Sequence, residues 1–216
     1  MKDAAFEAYV EAIEAHLRAR RGVDHILSPR DFALARAWYD SGIPLATLLV
    51  GIDLAFESGG GVTSLAFCRR RVEELAACGP RPQRRSSLPA ETVPLRELDE
   101  LLVTLIEKLE ALRPGPRACF EPPRRKIEEI RGLLAVASRP NWAYLRQKLH
   151  EIDDDVSAAA IQSLAADALE AIEAEARRAV ERHRTRMDPE GAVDAVSRFT
   201  VHRARERLGL PRVSLV

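Results

Sequence analysis

His150 and Asp154 stand four residues apart, and Glu151 and Asp155 repeat that spacing one residue further on. On a helix such pairs share a face, so one element would offer an imidazole and carboxylates to a cation. A metal centre asks for more: an HExxH pair, or an ExxH pair from each of two helices. Neither pattern is present, and His16, His25, His183 and His202 are scattered. No metal and no cofactor are therefore expected, and the acids of 151–155 read as solvated surface. Nucleophilic chemistry is no better served, since GxSxG, a Cys–His signature and a dinucleotide fingerprint are all missing. Cys68, Cys78 and Cys119 are an odd number without CxxC spacing, which reads as free thiols in a reducing compartment. No catalytic residue is assigned, and the chain is expected to be non-enzymatic.

Arginines offer the other chemistry. Arg69, Arg70 and Arg71 are consecutive, and Arg81, Arg84 and Arg85 extend a basic band over 69–85. Arg178 and Arg182 begin a second arginine-rich stretch, 177–212. Backbone phosphates are the ligand that such side chains suit, whereas solvated helix faces are the plainer reading. Gly59-Gly60-Gly61 precedes Val62-Thr63-Ser64 without GxxxxGK[ST], so a hinge is preferred there to an anion cradle. Over the whole chain 33 basic side chains balance 33 acidic ones, which implies no long-range steering. The balance is uneven locally. Residues 58–93 hold 6 basic and 3 acidic side chains, 141–176 hold 2 and 8, and 177–216 hold 10 and 5. Opposite blocks of this kind can pair within the fold or between subunits.

The elements that would carry these residues are helices. Residues 26–57 organise the rest. Ser28, Pro29 and Asp31 form a helix start: a hydroxyl cap, a proline at the first helical position and a carboxylate three residues after the cap. Phe32, Leu34, Ala35, Trp38 and Tyr39 supply the apolar face of that helix, over 29–40. Gly42 ends it and Pro44 opens a second helix, 44–57, with Leu45, Leu48, Leu49, Ile52 and Phe56 apolar. Two helices joined in this way form a helix-turn-helix in the geometric sense. The second helix carries no Lys, Arg, Asn or Gln, so it is a poor reader of base edges, and a buried hairpin is expected. Trp38, Trp142 and Tyr144 read as core anchors.

An amphipathic helix over 3–20 precedes this pair, and one over 62–77 follows it. The spacing then predicts helices over 95–112 and 124–138, a long helical run from Trp142 that continues to Arg186 or breaks near Asp153-Asp154-Asp155, and a last helix over 189–208. Residues 79–94 and 113–123 carry four prolines each and read as breakers. The expected fold is all-α. Residues 1–78 make an N-terminal four-helix lobe with the helix-turn-helix-like hairpin, 79–94 a Pro-rich linker, and 95–216 a C-terminal bundle of longer antiparallel helices. The N-terminal stretch carries acids and no run approaches the ~18 apolar residues of a membrane span, so a cytoplasmic protein without a membrane partner is expected.

Leu27-Ser28-Pro29, Trp38, Gly42 and Ile52-Asp53-Leu54-Ala55 together resemble the C-terminal helical domain of DnaD-type primosome and phage replication proteins. The likeness covers about 30 of the 216 residues, and that family's later aromatic-and-isoleucine DNA-contact motif has no counterpart in this chain. The resemblance implies a helical module associated with nucleic-acid machinery. Two functions are thus expected. The first is a helical adaptor that acts through protein–protein contacts, self-association included. The alternative is binding of DNA or RNA through the arginines of 69–85 and 177–212.

Overall fold

The computed structural model describes residues 2–21, 26–58, 62–79, 95–136, 141–186 and 188–213. Among these residues the fold is all-α, with no strand. The helices are α1 (Lys2–Arg21), α2 (Pro29–Asp40), α3 (Leu45–Glu57), α4 (Leu65–Ala76), α5 (Leu95–Glu110), α6 (Pro114–Ala118), α7 (Glu121–Val136), α8 (Trp142–Gln162), α9 (Ala166–Glu181) and α10 (Pro189–Leu208). A single 3₁₀ turn, Arg184–Arg186, lies between α9 and α10. No helix among the described residues is long and apolar enough to cross a membrane.

The start of α2 is built as its sequence implies. The Ser28 hydroxyl oxygen accepts from the Asp31 backbone N–H at 3.1 Å and donates its own proton to Asp31 Oδ2 at 3.0 Å. Asp31 Oδ1 also accepts from the backbone N–H of Leu65 at 2.9 Å, so one buried carboxylate serves the first turns of both α2 and α4. Gly42 takes a φ of 74° between α2 and α3, where a side chain would be strained. Every residue from Ala46 to Ala55 of α3 is buried, so this helix is a core element and presents no face to a DNA groove. It approaches α4 closely. A Cβ on Gly51 would sit 2.8 Å from Val72 Cα.

Several expectations change. The prolines of 113–123 do not break the chain into a loop. Pro114 sits at the first position of α6, and Pro122 and Pro123 lie in the first turn of α7, where a missing N–H is harmless. The aspartate triplet lies inside α8, and the break comes at Ser163, whose backbone N–H bonds to Ala159 O and Ile161 O. On α2 the inward position falls to Asp31, while Phe32 is 46% exposed. Tyr144, expected as a core anchor, is half exposed on α8.

The chain forms two compact units: Met1–Ser87 with Glu173–Thr200, and Leu88–Ile172 with Val201–Val216. Residues 173–200 thus join the N-terminal unit, whereas the sequence pattern had grouped them with the C-terminal bundle. Their packing gives the reason. Ala176, Ala179, Val180, Ala195 and Phe199 close a core with Ala46, Val50, Leu54 and Leu75. The expected linker 79–94 lies outside the described residues apart from Gly79.

The first unit has a second core beneath the hairpin, where Tyr9, Ile13 and Leu17 of α1 meet Trp38, Leu48, Leu49 and Ile52. In the second unit Leu98, Leu102, Leu105 and Leu109 of α5 pack with Ile127 and Ile130 of α7 and with Leu145, Leu149, Ile152 and Val156 of α8. Asp153 is buried in that unit and paired. Its Oδ1 lies 3.0 Å from Arg205 and also accepts from the Val213 N–H at 3.0 Å.

Candidate functional site

In the first unit, one acidic side chain interrupts an otherwise apolar helix. α3 reads LATLLVGIDLAFE, and its central Asp53 is buried. A carboxylate in such a place must be partnered. His16 supplies one partner from α1, where it lies on the same face as Tyr9 and Ile13. His183 supplies the other from the turn just after α9, held by its backbone N–H to Val180 O at 2.9 Å.

The geometry is compact. His16 Nε2 lies 2.9 Å from Asp53 Oδ1, and His183 Nε2 lies 2.8 Å from Asp53 Oδ2. The two imidazole rings meet edge to face with centroids 4.8 Å apart. Exposure is 5% at His16, 3% at Asp53 and 4% at His183, so water does not screen the cluster. Arg20 Nε approaches Oδ1 to 3.0 Å from the solvent side of α1, and the Arg182 guanidinium stands 3.9 Å from Oδ2. Burial by itself would raise the Asp53 pKa. The hydrogen bonds and charges of His16 and His183 outweigh it and hold the carboxyl well below the usual carboxylate range. An ionised carboxylate only accepts, so each Nε2 carries the proton and donates.

Asp53 also reaches the wall of a cleft. Asp53, Glu57, Glu175, Arg178, Arg182 and Phe199 line a space of about 310 Å³, open solvent at its mouth included.

The arginines singled out by sequence are placed differently. Arg69 pairs with Glu73 at 2.9 Å, Arg70 with Glu74 at 3.7 Å and Arg71 with Glu74 at 3.2 Å. Arg69 and Arg70 are exposed, while Arg71 is half-buried against the helix. Arg182 pairs with Glu57 at 3.3 Å, and Arg178 stands beside it on the cleft. A phosphate would have to compete with carboxylates already in place at four of these five positions. Arg81, Arg84 and Arg85 lie outside the described residues. His150 and Asp154 do approach one another, at 3.5 Å, on the open surface of α8.

Sequence reasoning passed over His16, Asp53 and His183. The usable signals were an acid at the centre of the most apolar helix and a histidine on the apolar face of α1. No spacing rule connects His183 to either, because 130 residues separate it from Asp53.

Comparisons with protein-family models, with curated proteins and with solved structures give no match for this chain.

Proposed function

We propose that this chain is a non-enzymatic helical interaction protein that associates with further copies of itself. The observation that carries the reading is a set of three large apolar side chains left exposed near where α2 and α4 begin. Asp31 ties these two helix starts together through Leu65. Beside that joint Ile26 is 83% exposed, Phe32 46% and Phe67 61%. Large apolar side chains exposed in this way are costly to leave in water and mark contact surfaces.

Charge argues for a second copy as the occupant. Exposed Arg30 stands two residues before Phe32, and exposed Arg69 and Arg70, which pair within α4 with Glu73 and Glu74, follow Phe67 by two and three; exposed Asp154, Asp167 and Glu170 belong to the acidic block 141–176. A contact between the two blocks is made twice in a two-fold dimer and once at each interface of a ring or open chain.

Size-exclusion chromatography with light scattering tests this at about 50 mM and about 500 mM salt, where screening differs strongly. The wild type should run above monomer mass at low salt and shift toward monomer at high salt. Phe67→Ser should be monomeric under both conditions with an unchanged melting temperature. A wild type that stays monomeric at low salt and tens of micromolar concentration would refute the reading.

A further inference from the structure

Two imidazole nitrogens and one carboxylate, buried and converging from three separate chain segments, are a donor set with a second use. A ring nitrogen of His16, a ring nitrogen of His183 and an Asp53 carboxylate oxygen all lie within 4.8 Å of one another. We propose that His16, Asp53 and His183 bind one divalent first-row transition ion, with zinc the best fit.

The donor set comes first in the argument. Two histidines with one carboxylate suit zinc and its neighbours, whereas magnesium and calcium prefer oxygen alone. The distances come second. Zinc holds nitrogen and oxygen ligands at about 2.0–2.2 Å, so its ligand atoms stand roughly 3–3.5 Å apart. His16 Nε2 lies 2.9 Å from Oδ1 and His183 Nε2 2.8 Å from Oδ2, each just inside that spacing, and side-chain rotations would bring both nitrogens and one oxygen around an ion. To bind, each imidazole must present a bare Nε2 lone pair, so the proton on Nε2 is released or taken up at Nδ1, and the carboxylate is already ionised.

Access and surroundings come third. Asp53 is among the residues lining the cleft that also holds Glu57, Glu175, Arg178 and Arg182, so a cation would approach past side chains of both signs. Three protein ligands leave a fourth position of a tetrahedral ion free, as in sites that take a water or a small anion. Arg20, 3.0 Å from Oδ1, suits the carboxylate oxygen that a single-oxygen bond to zinc leaves unused, although its charge opposes the ion. The alternative occupant of the same geometry is the proton pair alone: a buried His–Asp–His ion cluster with no role beyond holding α1, α3 and the turn after α9 together.

Titration calorimetry with zinc chloride on tag-free protein, with cobalt chloride in parallel, separates the two. One zinc per chain should bind to the wild type. His16→Gln and His183→Gln should each weaken binding by more than the roughly 10–100-fold seen when only a supporting residue changes. His150→Gln, which alters the exposed pair on α8, should leave it unchanged. Since a ligand variant could fail to fold, histidine-ring NMR on the wild type gives a second readout. One equivalent of zinc should shift the two buried, mutually contacting imidazoles and spare His150. An absence of stoichiometric binding, binding that survives in both ligand variants, or zinc shifts confined to His150 would each overturn the proposal.

Discussion

His183 Nε2 stands 2.8 Å from Asp53 Oδ2 across 130 residues of sequence. This contact ties the turn after α9 to the middle of α3, and His16 repeats it from α1 on the other oxygen. Three segments of the first unit thus meet on one carboxylate. Removing that carboxylate strands two buried imidazoles and leaves Arg20 facing an empty site. Asp53→Ala should lower the unfolding free energy by about 3–5 kcal/mol, as loss of one partner of a buried ion pair does. Asp53→Asn keeps the volume and one acceptor and should fall between the two. Urea melts in the presence of a chelator measure this without any metal contribution. A loss below about 0.5 kcal/mol, the range of surface substitutions, contradicts the hub role.

Trp38 is the largest side chain of the hairpin core. It is 3% exposed, packs with Leu48 and Ile52, and donates its Nε1–H to Glu73 Oε1 at 3.3 Å. Trp38→Ala should cost roughly 3–5 kcal/mol, the range for large aromatic truncations in cores. That is a large share of the ~5–15 kcal/mol that holds a domain together. Trp38→Phe keeps most of the volume but leaves Glu73 only Arg69 as partner, so it should cost less. Thermal melts of the two variants check the order.

Much of this fold can be read from the chain because helix rules are local. Ser28, Pro29 and Asp31 announce α2, Gly42 and Pro44 bracket the turn, and the leucine stripe of α5 marks its buried side. The errors fall where local rules meet tertiary context. Prolines at 114, 122 and 123 look like breakers, yet a first helical turn tolerates them. Phe32 and Asp31 exchange their expected places because Asp31 is needed to cap Leu65, a partner 34 residues away. The unit boundary inside α9 is hidden for a similar reason. Ala176 and Ala179 pack closely on α3 but carry little hydropathy signal. The His–Asp–His cluster shows only as an isolated anomaly in each helix, because the constellation exists only after the chain has folded.

Two helical glycines should respond in opposite directions to the same substitution. At Gly51 an added Cβ meets Val72 Cα at 2.8 Å and Val72 Cγ2 at 2.9 Å, and the nearer atom is backbone that cannot rotate aside. Overpacking of this kind costs about 1–3 kcal/mol, which exceeds the roughly 1 kcal/mol that alanine gains over glycine in a helix. At Gly132 on α7 nothing lies within 4 Å of the added atom. Gly132→Ala should therefore stabilise by up to about 1 kcal/mol, and Gly51→Ala should destabilise. Paired denaturant melts read both signs, and a stabilised Gly51→Ala would show that α3 and α4 are not held so close.

Cys68 gives the pH-dependent test. Its thiol is buried among the residues that join α2, α3 and α4. Burial pushes the pKa up from 9.0 to about 12, the Asp31 carboxylate adds to the rise, and Arg21 opposes it. Thiol reagents attack the thiolate, so at about pH 8 native protein should label at Cys78 and Cys119, both half-buried, and spare Cys68. In urea all three should label. The same shift enters stability. Below pH 9 the thiol is protonated in both states and contributes no slope. Between pH 9.0 and about 12 the unfolded chain loses this proton while the folded chain keeps it, so stability falls as pH rises. The slope from this one group approaches about 1.4 kcal/mol per pH unit. Burial also raises the Tyr9 hydroxyl, so a group other than Cys68 contributes in alkaline solution, and the comparison is with Cys68→Ala. The variant is weaker at about pH 8 because of the cavity it leaves, and its deficit should shrink as pH rises toward about 10.5. A deficit that stays constant across that range would mean that Cys68 ionises as readily in the folded protein as in the unfolded chain.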